Sequence, residues 1–474
     1  MTAAATPSTP GSGTFGPSTH ASAACLLAVV LLTLGHLFTP AHWLVWAMGV
    51  AALLFFALER RRIPRAIWRV ALTLGAITLL LLPVSATPQQ SLLRGISIGC
   101  LLASLVACVS LLSRAALRSD ASRVVALHLL AQNRRRRYVG FSWATQLFGG
   151  LIGVTGVSML MAMASRDEQA SPQDRLALFN AITRSFSAAV LWSPMFSNVS
   201  ILVALYPGLT WFTVVPLSFA LGIVVMGIGL LVDRWRPDRA TAVAEPDRPA
   251  PADPLWPALL PMAAAMGGFL AAVILLSWVA QIAAIGAIVM LAPVGAVVVN
   301  ALQASGPGRL MQGVADLRDD YLRMPMLAGE VTVFLAAGCG GAVIASAVPV
   351  AWTAAIAALV SHSPIVASLA LTSTVVGLAF LAVHPVLSVV LVVSCFPPEL
   401  LGLPPVPHLC SILVGWALAS CVSPFAMVSL MASRYSGLPV SEVTVRANRW
   451  FALLCLAASA IGLGGYAMVS RGGH

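Results

Sequence analysis

The chain of 474 residues is 59% hydrophobic and 9% charged, with a mean hydropathy of +0.93, whereas a soluble domain carries roughly 25% charged residues. This excludes an ordinary soluble protein and points to a polytopic membrane protein. A formal charge of +11 would suggest nucleic acid in a soluble chain, but here the 27 basic residues are all Arg and concentrate in short loops between apolar runs, where they report orientation in a bilayer.

Residues 1–22 are rich in Ala, Thr, Ser, Pro and Gly, with no basic residue before the first apolar run. They read as a disordered tail rather than a cleaved signal. Apolar segments follow at about 24–39, 43–58, 70–86 and 93–113, then a basic loop containing the run Arg134 to Arg137. Next come about 141–165, an amphipathic stretch SPQDRLALFNAITRSF, the segment LWSPMFSNVSILVALYPGL at 191–209, and about 211–232. The polar, Pro-rich stretch 233–255 reads as a cytoplasmic linker dividing a first membrane repeat, 23–232, from a second, 256–474. The second contains apolar segments at about 257–277 and 279–303, a mixed-charge loop at 305–325, and further segments at about 327–350, 352–361, 364–384, 386–397, 409–433 and 450–470.

Stretches of about 17 to 25 apolar residues cross a hydrocarbon core as helix, and about eleven to thirteen such segments recur. The alternating pattern of barrel strands is absent, and only helices or closed barrels satisfy their backbone in lipid. The expected fold is an all-α bundle. Loops rich in Arg face the cytoplasm by the positive-inside rule, and Trp68, Trp211, Trp235, Trp256 and Trp450 fall at segment edges as an aromatic belt would place them. The expected location is a cell membrane, the bacterial inner membrane, with the lipid bilayer as partner. For the run Arg134 to Arg137, topogenesis and binding of anionic lipid heads are both open readings. The eight cysteines lie in or beside apolar stretches without CxxC spacing or a neighbouring His, so no disulfide, metal or cofactor is expected.

The segment at 191–209 is interrupted by Ser193-Pro194 and a polar cluster of Ser197, Asn198 and Ser200. About 230 residues later stands ASCVSPFAMVSLMASRYSGLPVSEV, in which Ser423-Pro424, Ser429, Gly437-Leu438 and Val443 match Ser193-Pro194, Ser200, Gly208-Leu209 and Val214. No charge follows the first copy, whereas Arg434, Arg446 and Arg449 accompany the second. The copies therefore run in opposite directions, with Leu209 and Trp211 outside and Leu438 and Val440 inside. Inverted repeats with interrupted helices at matching positions point to the central site of a secondary transporter. Proline removes an N–H and pushes the preceding residue out of the helical region. Unwinding frees carbonyls for a cation and presents a half-helix N-terminus to an anion. Ser193, Ser197, Asn198, Ser200, Ser423 and Ser429 are the candidate substrate and ion ligands. A Pro kink whose Ser satisfies the local backbone is the plainer alternative.

These two stretches, with MPMLAGEVTVFLAAGCGGAV (324–343) and TSTVVGLAFLAVHPVLSVVLV (372–392), resemble the ion transporter superfamily, which holds citrate, dicarboxylate and other anion permeases and sodium/proton exchangers. The resemblance runs from about Tyr138 onward. The Ser-Asn-Thr signature of sodium/dicarboxylate symporters does not occur. The resemblance implies elevator-like transport with substrate and ion held at two hairpin tips or helix breaks.

Among carboxylates, Glu330 stands three residues into an apolar run, and an intramembrane carboxylate is by default a functional hypothesis. First-turn complementation of the helix dipole competes with that role. His384, before Pro385, titrates near neutral pH or simply bonds a neighbouring carbonyl. Arg184 either attracts an anion or snorkels at the interface. With no HExxH, GxSxG, Walker motif or paired carboxylate, the reading is not an enzyme. It is a secondary active transporter of a small anionic solute, coupled to H+ or Na+, without nucleic acid and admitting a homodimer. A membrane enzyme or a structural component of an envelope complex is the alternative.

Overall fold

The computed structural model describes residues 17–118, 121–165, 171–193, 196–206, 208–235, 255–304 and 306–472, and these are helical with no strand. Most of the expected tail and linker, and Pro194 itself, lie outside the described residues. The first half comprises α1 (Pro17–Phe38), α2 (His42–Glu59), α3 (Arg65–Leu81), α4 (Pro88–Leu117), α5 (Ala121–Ala131), α6 (Arg134–Ile152), α7 (Val154–Ser165), α8 (Pro172–Trp192), α9 (Ser197–Leu205) and α10 (Trp211–Arg234). The second comprises α11 (Leu255–Ala280), α12 (Ala284–Gln303), α13 (Arg309–Leu322), α14 (Ala328–Ala347), α15 (Val350–Val360), α16 (Pro364–Phe380), α17 (Pro385–Cys395), α18 (Pro398–Leu401), α19 (Pro405–Val422), α20 (Met427–Ser436) and α21 (Ala447–Gly472). Among the described residues, ten helical stretches are long and apolar enough to cross a membrane, and four shorter apolar helices accompany them.

The halves correspond helix by helix. Moved along by about 230 residues, α4 to α10 fall on α14, α15, α16, α17, α19, α20 and α21. Corresponding helices also meet each other antiparallel. Along α4 and α14, the Ser85 and Ser346 hydroxyls lie 2.7 Å apart just before α4, Gly95 faces Cys339 further on, and Gly99 faces Leu335 beyond that. A helix lying antiparallel to its own counterpart is what an inverted repeat about an axis in the membrane plane produces. The contact is backbone on backbone. A Cβ on Gly338 would stand 2.8 Å from the Gly95 carbonyl oxygen and 2.8 Å from the Gly99 nitrogen, the small-residue packing that brings membrane helices together without a hydrophobic driving force.

One stretch differs from the sequence expectation. The mixed-charge loop 305–325 contains α13 and a 3₁₀ turn, Met324–Leu327. It is pinned because Arg118 donates to both Asp320 carboxylate oxygens, at 2.8 and 2.9 Å, and to the Asn300 side chain at 3.0 Å. The amphipathic stretch SPQDRLALFNAITRSF lies within the bundle. It opens α8, in which every residue from 177 to 191 is buried, because its polar face turns onto other helices rather than onto water.

Candidate functional site

Each repeat builds the same assembly from a hairpin and a broken helix. In the first, α6 and α7 fold back on each other at Gly153, whose φ of +67° lies in the left-handed region that favours glycine. The legs are so close that a Cβ on Gly156 would meet the Phe148 carbonyl oxygen at 2.4 Å. In the second, α16 and α17 join through Leu381 to His384, with Val383 N–H donating back to the Leu378 carbonyl at 3.0 Å. Ala382 takes the left-handed position, φ +59°, without a glycine to relieve it, a conformation that costs about 1–3 kcal/mol.

The broken helices match in detail. Ser193 ends α8 with φ −73° and ψ 125°, and Ser423 ends α19 with φ −74° and ψ 130°; both have the extended ψ expected before a proline. Ser193 N–H donates to the Ala189 carbonyl and Ser423 N–H to the Ala419 carbonyl, both at 3.1 Å. Three residues on, Phe196 N–H returns to the Ser193 carbonyl and Ala426 N–H to the Ser423 carbonyl. Neither Phe196 nor Ala426 caps the following half-helix with its side chain, so first-turn N–H groups of α9 and α20 are left without a side-chain cap.

The two serine hydroxyls perform one task. Ser193 Oγ donates to the Gly150 carbonyl and Ser423 Oγ to the Ala379 carbonyl, each at 2.8 Å. Both acceptors sit in the last turn of the first leg of the hairpin in the same repeat. Each broken helix is thereby latched to its own hairpin tip. Ser429 Oγ donates to the Ser420 carbonyl across the second break at 3.2 Å. Asn198 and Ser200 are buried on α9, and Ser197 is the first residue of that helix.

The broken helices also pack antiparallel against each other. The Tyr206 hydroxyl after α9 lies 2.5 Å from His408 Nδ1 near the start of α19, and His408 Nε2 lies 2.8 Å from the Phe396 carbonyl. Near the end of α19, Cys421 lies beside Ser187 of α8. At 1.5 Å per residue, this places the two breaks about 12 Å apart along the helix direction. The Tyr435 hydroxyl at the end of α20 lies 3.2 Å from Ser158 on α7, so a tyrosine at the end of each short half-helix reaches the other repeat. The sequence already carried that pair: in the register aligning Ser200 with Ser429, Tyr206 falls on Tyr435.

Charge placement corrects the sequence reading. Arg184 does not snorkel; it is 2% exposed in the middle of α8. Its Nε donates to Asn448 Oδ1 and one Nη to the Ala447 carbonyl, both at 2.8 Å, while the other Nη reaches the Tyr138 hydroxyl and the Gly229 carbonyl at 3.4 Å. The guanidinium also lies over the Phe451 ring, and among the described residues no carboxylate pairs with it. Glu59, Asp233 and Asp320, at or near the ends of apolar segments, are buried. Glu330 instead is exposed on the protein surface, in the first turn of α14. His384 caps α17, its Nδ1 accepting from Val386 N–H at 3.3 Å, and its ring meets Phe334 edge-on at 6.1 Å. Phe334 stands one turn after Glu330, so both coupling candidates border the same face of α14.

Neither a family model nor a curated protein matches the chain. Among solved structures, the chain is similar to the YdaH transporter of Alcanivorax borkumensis, whose crystal structure has an unusual topology, with a TM-score of 0.54 and 17% identity over 85% of this chain and 98% of that one. MtrF of Neisseria gonorrhoeae, from a class of antimetabolite efflux pumps, aligns with a TM-score of 0.48 and 13% identity over 76% of this chain and 80% of that one. The chain thus has a membrane-transporter fold, an all-helical architecture in which helices are interrupted at matching places; these likenesses assign no superfamily.

Proposed function

We propose that the chain is a secondary active transporter that moves a small anionic solute by alternating access, driven by an ion gradient. The duplicated latch carries this reading. A helix broken in lipid is tolerated only where protein or water satisfies the freed groups, and here a serine hydroxyl at each break is bonded to a carbonyl of the hairpin in its own repeat. When a hairpin tip withdraws, one hydroxyl, one carbonyl and an uncapped half-helix N-terminus become available together. The hydroxyls of Ser193, Ser197, Ser200, Ser423 and Ser429, the Asn198 amide and the N–H groups suit an anion, while freed carbonyls suit Na+ or a protonated carrier. The buried cation of Arg184, close to the second break through Cys421, biases the region toward negative charge. The likeness to a transporter fold supports the same reading over a membrane enzyme or an envelope scaffold, neither of which needs releasable latches.

Uptake of a panel of labelled organic acids into proteoliposomes tests it. Concentrative uptake under an imposed H+ or Na+ gradient, abolished by the matching ionophore, is expected for at least one acid; a panel that enters no faster than into empty vesicles would remove the proposal. Ser193→Ala or Ser423→Ala is expected to weaken binding of that acid by roughly 0.5 to 1.5 kcal/mol, the worth of one hydrogen bond.

If protons drive transport, Glu330→Gln is expected to abolish dependence on the pH gradient while leaving solute exchange partly intact, with His384→Gln as the parallel variant. Full proton-driven uptake in the Glu330→Gln protein would return that carboxylate to helix-dipole complementation.

A further inference from the structure

A second polar site lies away from the breaks, between α4, α14 and α17. A cavity of about 260 Å³ opens there, lined by Thr87, Gln90, Ser91, Arg94, Ser346 and Ser394. Arg94 is exposed on the second turn of α4, and among the described residues no hydrogen bond or ion pair engages its guanidinium. Among the described residues, no carboxylate lines the cavity. The hydroxyls are held in place: Ser346 Oγ donates to the Val343 carbonyl at 2.8 Å and lies 2.7 Å from Ser85 Oγ, while Thr87 Oγ1 lies 3.2 Å from Ser91 Oγ. An unengaged guanidinium facing fixed hydroxyls and an amide, with no acid to neutralise it, matches the recognition of a planar or tetrahedral oxyanion.

Its position adds a second argument. The Arg content of the loops assigns the start of α4 and the end of α14 to the outside, where an arginine is out of place as a topological signal. Below the cavity, Val390 of α17 packs on α14 so tightly that a Cβ on Gly341 would meet it at 2.5 Å, with Leu387 next to it. Ser394, Val390, Leu387 and His384 follow one face of α17 at helical spacing. The cavity is thus the outer end of a closed seam that runs down the second hairpin to its tip.

We propose that Arg94, with Gln90, Ser91 and Ser394, forms an oxyanion-binding site at the outer mouth of the seam between α4/α14 and the second hairpin, which takes a carboxylate, sulfonate or phosphate group. Binding there stands apart from the transport reading and can be read without flux.

The test uses Ser394→Cys in the full chain with the native cysteines replaced, purified in neutral detergent without lipid. An anionic methanethiosulfonate is expected to label this thiol faster than a cationic one, and Arg94→Gln to reduce that preference about tenfold, the effect of one unit charge at close range. Arg94→Lys, which keeps the charge, is expected to restore much of it and serves as the control for correct folding. Citrate or sulfate, but not glycerol, is expected to slow labelling in the Arg94 protein and not in Arg94→Gln. Protection by citrate or sulfate in lipid-free micelles supports the site with a free anion as occupant; protection only after adding phosphatidylglycerol supports it with a lipid headgroup as occupant. Equal labelling by both reagents, unchanged by Arg94→Gln and by every anion and lipid, would overturn the proposal even if the protein transports.

Discussion

Gly338→Leu is expected to prevent accumulation of folded protein, destabilising it by about 3 kcal/mol or more, at the upper end of overpacking effects. The atoms its side chain would meet are the Gly95 oxygen and the Gly99 nitrogen and Cα, at 2.8 to 2.9 Å. These are backbone atoms of a helix and cannot swing aside, so α4 and α14 would have to separate along the crossing that joins the two repeats. Gly227 is the control, because no atom lies within 4 Å of a Cβ placed there. Gly227→Ala is expected to be neutral or stabilising by up to about 1 kcal/mol through helix propensity. Size-exclusion profiles in detergent and thermal unfolding of the two variants check this. A monodisperse Gly338→Leu protein with unchanged melting would show that the crossing does not hold the repeats together.

Arg184→Met is expected to destabilise the protein by roughly 2–4 kcal/mol. The change removes a buried unpaired charge, which favours the variant, but it deprives Asn448 Oδ1 and the Ala447 carbonyl of their 2.8 Å donor, while the Gly229 carbonyl keeps the Tyr138 hydroxyl at 3.2 Å. Hydrogen bonds from a charged donor contribute about 1.5–3 kcal/mol each, and two of the four are short at 2.8 Å, so the orphaned acceptors outweigh the relief. Arg184→Lys is expected to recover little, since a point ammonium cannot reach acceptors spread over α6, α10 and α21 as a guanidinium fork does. Unfolding midpoints of the two variants in one detergent distinguish the cases. A lysine variant as stable as the parent would reduce Arg184 to a generic buried cation.

The class of fold was legible because lipid leaves few options: apolar length gave helices, and the Ser-Pro pair repeated about 230 residues apart gave the duplication. The same spacing carries α4 to α10 onto their counterparts, although most of those helices share no recognisable residues. What the breaks bond to was not legible, because Gly150 and Ala379 act through carbonyls, which every residue possesses. Arg184 misled for a related reason. Its acceptors lie in α6, α10 and α21, far along the chain, so nothing beside it in sequence distinguishes a buried fork from a snorkelling one. The helix over Arg309–Leu322 was hidden because its charges suggested solvent, while Asp320 turns inward to Arg118.

Alternating access is tested most directly by the side from which the helix breaks can be reached. Single cysteines replacing Asn198 and Ser429, in protein otherwise free of cysteine and reconstituted in proteoliposomes, are labelled with an impermeant thiol reagent added outside or trapped inside, with the ion gradient imposed in either direction. The account predicts that each position is reached from both faces, under opposite gradients, and that locking the hairpins shut suppresses labelling from one of them. Labelling from a single face under every gradient, or none from either face, would contradict it.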